Sequence, residues 1–190
     1  MASEPHHAVV DYPGGLRGRY TWAGSGEADA VFALSEAGGS LQDLGSLVSP
    51  EPDRLCRAEL RIEHLGGAWT VRLASPIYDE PGGLAWDTAG LLVVHYGFAT
   101  YGFGARSGAL AWHHRSGSPI VAVVGSPRLD HIVVQAEVET FAIDATGEVV
   151  WRAVHSDVVA EAALVGGRLV LTSFGGAVSA LDPATGRTVG

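Results

Sequence analysis

The chain has 190 residues, 47% of them hydrophobic and 17% charged, a balance that excludes disorder and supports a core without help from disulfides or metals. Its 12 basic residues, all Arg, face 21 acids for a net charge of −9; this removes lysine chemistry and argues against nucleic acid as a partner. The single Cys56 cannot form an internal disulfide, no stretch is apolar for long enough to cross a membrane as a helix, and residues 1–7 lack a leader pattern, so a cytoplasmic, membrane-free setting is expected.

The stretch from Met1 to Glu80 is the less regular part. Ala28–Glu36 comes closest to helical periodicity, but Phe32–Leu41 aligns without gaps beside Ser179–Thr188, which argues for a hairpin echo there instead. Ser46–Arg54, with Pro50 and Pro52, reads as an irregular loop. Leu60–His64, the turn around Gly66 and Gly67, and Ala68–Leu73 read as strand, turn and strand.

From Gly83 onward a repeat becomes legible. Ser107-Gly108, Thr146-Gly147 and Thr185-Gly186 recur at equal spacing, each between short apolar runs. The strands expected of the first unit are Gly83–Asp87, Leu91–Tyr96, Thr100–Phe103 and Ala109–His113. The second unit has Ile120–Val124, Ile132–Ala136, Thr140–Ile143 and Glu148–Arg152; the third has Val158–Val165, Leu169–Ser173, Val178–Leu181 and a short Arg187–Val189. A strand-built period of about 40 residues belongs to an array of propeller blades.

The expected fold is therefore all-β, a β-propeller or part-propeller of antiparallel four-stranded blades, with about five units of which three are clear. A single domain spans 1–190, with divergent or abbreviated blades over 1–80 and three propeller-type repeats over 81–190. Two part-rings could complete one another as a homodimer, or Ala8–Tyr12 could pair with the last unit and close one ring.

The repeat unit Phe141-Ala142-Ile143-Asp144-Ala145-Thr146-Gly147-Glu148-Val149-Val150-Trp151 resembles the blades of the quinoprotein-alcohol-dehydrogenase-like β-propeller superfamily. It recurs over Ala180–Gly186 and, degraded, over Phe103–Trp112. The resemblance implies a propeller in which Trp112 and Trp151 wedge between blades. Asp144 and Asp182 would accept main-chain N–H groups two residues on. It carries no cofactor across, because the quinone enzymes use a vicinal cysteine pair and this chain has one cysteine. The outer-membrane assembly lipoproteins are also similar, but their lipid-modified cysteine has no counterpart near residue 1.

The remaining polar motifs read mostly as scaffold. His113 and His114, adjacent on a strand, point to opposite faces and cannot share one ion. His155-Ser156-Asp157 has triad residue types at a spacing that cannot form a triad, and reads as a connecting turn. Asp79-Glu80 and Glu137-x-Glu139 read as solvated edges, and Gly102-x-Gly104 precedes a strand rather than a dinucleotide-binding helix. No catalytic, metal or cofactor residues emerge. His95, Tyr96, Phe98 and Tyr101 are the candidate ligand-binding residues, as aromatics beside a glycine turn. Two functions are compatible with this pattern: a non-enzymatic module presenting loops to a protein or glycan, or a hydrolase or lyase using a metal or small molecule on the propeller axis.

Overall fold

A computed structural model describes residues 4–32 and 37–190 of the chain as antiparallel four-stranded sheets and their variants, the architecture of a β-propeller or part-propeller. Two compact units are formed, Met1–Gly97 with Phe103–Leu110, and Phe98–Gly102 with Ala111–Gly190. Among the described residues no helix is long and apolar enough to cross a membrane.

The first sheet contains β1 (His6–Tyr12), β2 (Leu16–Ala23), β3 (Ser40–Asp43), β4 (Cys56–His64) and β5 (Gly67–Ser75), in the order β1-β2-β4-β5-β3. Strand β1 pairs with β2, Tyr12 opposite Leu16, so Ala8–Tyr12 forms one edge of the first sheet. The hairpin read at Gly66 and Gly67 is β4–β5, and β3 joins the same sheet parallel to β5. The period-2 pattern of β4 explains its central place: Ala58, Leu60 and Ile62 bury one face, and Arg57, Glu59 and Arg61 bury the other.

That charged face is sealed by ion pairing. Arg57 reaches Asp43 at 2.7 Å, Arg72 reaches Glu59 at 3.0 Å, and the Phe32 ring lies 5.0 Å and 4.0 Å from the Arg57 and Arg72 guanidinium carbons. Residues Ala28–Val31 form α1, a single helical turn, against the expectation from alignment. Its physical reason is tertiary: Ala28 and Val31 are buried, and the turn packs on β2 and β4. Of the aligned stretch Phe32–Leu41, residues 33–36 lie outside the described residues, and Ser40 and Leu41 open β3.

The remaining sheets follow the repeat. One comprises β6 (Gly82–Trp86), β7 (Leu91–Tyr96), β8 (Ala99–Gly104) and β9 (Leu110–Arg115), in sequential order. The next comprises β10 (Ile120–Val124), β11 (His131–Ala136), β12 (Glu139–Asp144) and β13 (Val149–Val154). The last has β14 (Val159–Val165), β15 (Arg168–Ser173) and β16 (Val178–Leu181), with its fourth strand reduced to a bridge between Leu181 and Thr188. Bulges at Ile120/Ala122 in β10 and Val159/Glu161 in β14 occupy the same place in successive repeats.

The repeated glycines have one shared cause. A Cβ on Gly108 would stand 2.6 Å from the Trp69 ring, on Gly147 2.5 Å from Trp112 Cβ, and on Gly186 2.3 Å from the Trp151 ring. Each turn thus rests on a tryptophan from the preceding sheet, and Trp69 joins the pair expected from sequence. The Trp69 and Trp151 indole N–H groups donate to the carbonyls of Ala105 (3.0 Å) and Pro183 (3.1 Å), each just ahead of its glycine. Trp112 breaks the pattern. Its indole lies against Gly102, where a Cβ would stand 2.6 Å from Nε1, so Gly102 serves close packing.

Asp144 Oδ1 accepts the Thr146 hydroxyl at 2.6 Å and the main-chain N–H groups of Thr146 (2.9 Å) and Glu148 (3.1 Å). Those bonds, the Thr146 hydroxyl foremost, hold its carboxyl below the usual carboxylate range. Asp182 repeats the turn, accepting Ala184 N–H at 2.9 Å. Asp144→Ala is expected to cost about 1 kcal/mol in urea unfolding, the size of a net hydrogen bond, because the freed groups are solvated. A loss within experimental error would remove this turn from the stabilising set.

Candidate interaction surface

The four residues singled out by sequence divide between the two units. Tyr96 ends β7 fully buried, and burial pushes its phenol far above the usual range. Tyr101, on β8, is 1% exposed. His95 packs on Gly82, its Nδ1 is buried without a hydrogen-bond partner among the described residues, and burial lowers its pKa to about 4. Phe98, half-buried, sits in the β7–β8 turn after Gly97 (φ 62°), and its carbonyl accepts Ser116 N–H at 2.8 Å. The tyrosine rings meet core atoms rather than solvent.

Other motifs resolve by strand alternation. His113 is exposed, while His114 turns inward to the Phe141 ring at 4.6 Å. Glu139 departs from the solvated edge expected of it. It is buried, accepts Gly117 N–H at 3.3 Å and faces Arg152 at 3.4 Å, because β12 is an interior strand of its sheet. Among the described residues no group of three or more His, Cys, Asp or Glu is placed to hold a metal ion.

The most exposed apolar side chains of the second unit gather at one end of its strands. Phe174 is 84% exposed at the tip of the β15–β16 turn, Val154 77% at the end of β13, and Val178 69% at the start of β16. Backbone bonds tie the loops there together. His155 N–H donates to Val138 at 2.8 Å, Val159 N–H to Glu137 at 2.7 Å, and Phe174 N–H to Val158 at 2.8 Å. Val138 and Val158 add to the same exposed apolar surface.

A cleft of about 260 Å³ opens within this end, lined by Val154, His155, Asp157, Leu171, Ser173 and Val178 among others. His155-Ser156-Asp157 is the link from β13 to β14 and forms one wall. His155 is anchored from below by Thr140, whose Oγ1 lies 2.6 Å from Nε2, and desolvation lowers its pKa. A larger cavity of about 540 Å³, lined by Arg128, Leu129, Leu164 and Asp182 among others, lies in the same unit; the carbonyl of Pro183 beside it accepts His131 Nε2–H at 2.7 Å.

Sequence reasoning passed over Phe174. The signal was present, since a bulky aromatic inside Ser173-Phe174-Gly175-Gly176 has no neighbouring apolar position to pack with. Thr140 and Gln135 carried no such signal.

The sequence family described as outer membrane protein assembly factor BamB matches residues 68–189. No curated protein matches the chain by sequence. Among solved structures it is similar to BamB from Moraxella catarrhalis, with 15% identity over 99% of this chain and 66% of that one and a TM-score of 0.53. It is also similar to HIRA(644-1017), with 14% identity over 99% and 54% and a TM-score of 0.52. A third is the dihydro-heme d1 dehydrogenase NirN, with 16% identity over 75% and 35% and a TM-score of 0.52. At such identities these likenesses establish the fold. The chain thus spans between 35% and 66% of the length of these three structures.

Proposed function

Because the chain belongs to the family of the outer membrane protein assembly factor BamB, we propose that it is a non-catalytic β-propeller module that docks on a protein partner. The docking end is the one carrying Phe174, Val154 and Val178. The observation behind this reading is the 84% exposure of Phe174 on a turn whose neighbours are locked by backbone hydrogen bonds. Burying such a ring contributes about 1.5–3 kcal/mol, and a surface already ordered loses little entropy on binding. The family description supports the reading too, since an assembly factor works on other polypeptides.

Capture of partners by the immobilised chain tests it. Phe174→Ser with Val178→Ser is expected to abolish capture of a specific protein, while Leu65→Ser, at an exposed position of the first unit, leaves it intact. Capture unaffected by the double substitution rejects the docking end. A glycan array and a solution mass, run alongside, separate the other occupants expected from sequence, a sugar and a second copy of the chain.

A further inference from the structure

The chain of hydrogen bonds beneath the cleft has only one proton arrangement. Gln135 is fully buried, and its amide nitrogen donates to the carbonyls of Ala136 at 2.7 Å and Glu139 at 3.2 Å. Its oxygen is therefore the accepting end, and it takes the Thr140 hydroxyl proton at 2.5 Å. A hydroxyl has one proton, so toward His155 Nε2 Thr140 can only accept. The imidazole is held as the Nε2–H tautomer, and Nδ1 keeps its lone pair.

That lone pair is left to the cleft. Among the described residues no hydroxyl hydrogen-bonds to Nδ1, and Ser173 Oγ instead accepts Ala177 N–H at 3.1 Å. His155 thus has no nucleophile to deprotonate, and its lone pair is an acceptor awaiting a donor. Its lowered pKa keeps the ring neutral near pH 7. Asp157 adds a second acceptor. Its Oδ1 takes Val158 N–H at 2.8 Å, Oδ2 has no partner among the described residues, and no Arg lines the cleft. The volume, about 260 Å³, sits below the usual small-ligand range of about 300–1,000 Å³ and suits one or two side chains of a longer chain.

We propose that this cleft binds an extended segment of a partner protein, with an apolar residue beside an Arg or Lys, by accepting one main-chain N–H at His155 Nδ1. The apolar residue meets Leu171 and Val178, and the cation meets Asp157, in keeping with the net charge of −9. Thr140 and Gln135 are positioning residues that hold the acceptor. This inference rests on the docking role proposed above.

The test selects random heptapeptides by display on the intact chain, then titrates the winners and versions N-methylated at one amide at a time. Winners are expected to share an apolar–basic pair, and one N-methyl position is expected to weaken binding tenfold or more. In His155→Phe the parent peptide weakens equally and that methyl group no longer matters. Imidazole ¹⁵N shifts are expected to report Nε2–H in the free protein. Thr140→Ser should keep both tautomer and affinity, whereas Thr140→Val should lose both; should Thr140→Val not fold, the His155→Phe and N-methyl results decide alone. Undiminished binding by His155→Phe, or the Nδ1–H tautomer, overturns the inference. Peptides lost in Phe174→Ser but indifferent to His155→Phe retire this inference alone and leave the docking role standing. Peptides indifferent to both substitutions, or no winners, retire both.

Discussion

Gly147→Ala is expected to lower the unfolding free energy by about 3 kcal/mol, while Gly167→Ala lowers it by about 1–2 kcal/mol, the usual cost of a left-handed conformation for an L-residue. Both glycines have positive φ, 90° and 78°, so both substitutions carry that backbone cost. They differ in what the new methyl meets. At Gly167 nothing lies within 4 Å, whereas at Gly147 Trp112 Cβ stands 2.5 Å away and its ring carbon Cγ 2.7 Å. Such an overlap forces a buried tryptophan off its seat, and overpacking of this kind costs about 1–3 kcal/mol. Urea denaturation of the two variants separates the terms. A second substitution, Trp112→Gly, is expected to erase the difference between them, since it removes both the Cβ and the ring that the new methyl meets. Equal losses at the two glycines would mean that the Trp112 wedge yields freely, and the reason offered for the repeated turn glycines would fail.

Acid is expected to remove about 3 kcal/mol of stability between pH 6.5 and about 4, through His95. Its pKa falls from 6.5 to about 4 in the folded state because burial penalises the cation. A depressed histidine is neutral in the native protein, and the unfolded chain takes up its proton first. The contribution is thus complete above pH 6.5 and is lost progressively as pH falls toward 4. His114 and His155, also lowered chiefly by desolvation, act in the same direction. Asp79, raised chiefly by burial, acts in the opposite one. Denaturation curves at pH 7 and pH 4.5 measure the slope, and His95→Phe is expected to flatten most of it. Its Nδ1 has no hydrogen bond to lose among the described residues, so the replacement should cost little at pH 7. A slope unchanged in His95→Phe would assign the acid sensitivity elsewhere.

The strands from β6 to β16 were legible because each has a period-2 or continuous apolar pattern bounded by turn residues, and both are local properties. The Asp144 and Asp182 turns were legible for the same reason, since their bonds join near neighbours in the chain. What failed was long-range. Ala28–Val31 took helical form because β2 and β4 offered a surface for Ala28 and Val31, and no local pattern announces such a surface. Glu139 looked solvated in a polar doublet, yet its strand is interior and Arg152 and Gly117 answer its charge. His95, Tyr96, Phe98 and Tyr101 drew attention as aromatics at a turn, and two of the four rings are almost fully withdrawn from solvent.

The amino-acid order by itself determined the blade period, the strands and the turn chemistry, since these depend on residues within a few positions of one another. It also placed Trp112 and Trp151 against their neighbours through the resemblance of the repeat, though not the glycines they rest on. Only the tertiary structure decided which polar residues face outward, that Phe174 stands on an ordered end, and that Gln135, Thr140 and His155 form one directed chain. Those three come from separate segments, and their meeting depends on how β11, β12 and the link after β13 are brought side by side. Side-chain direction at that range is set by pairing register, which moves a residue to the other face with a single step and leaves composition and periodicity unchanged.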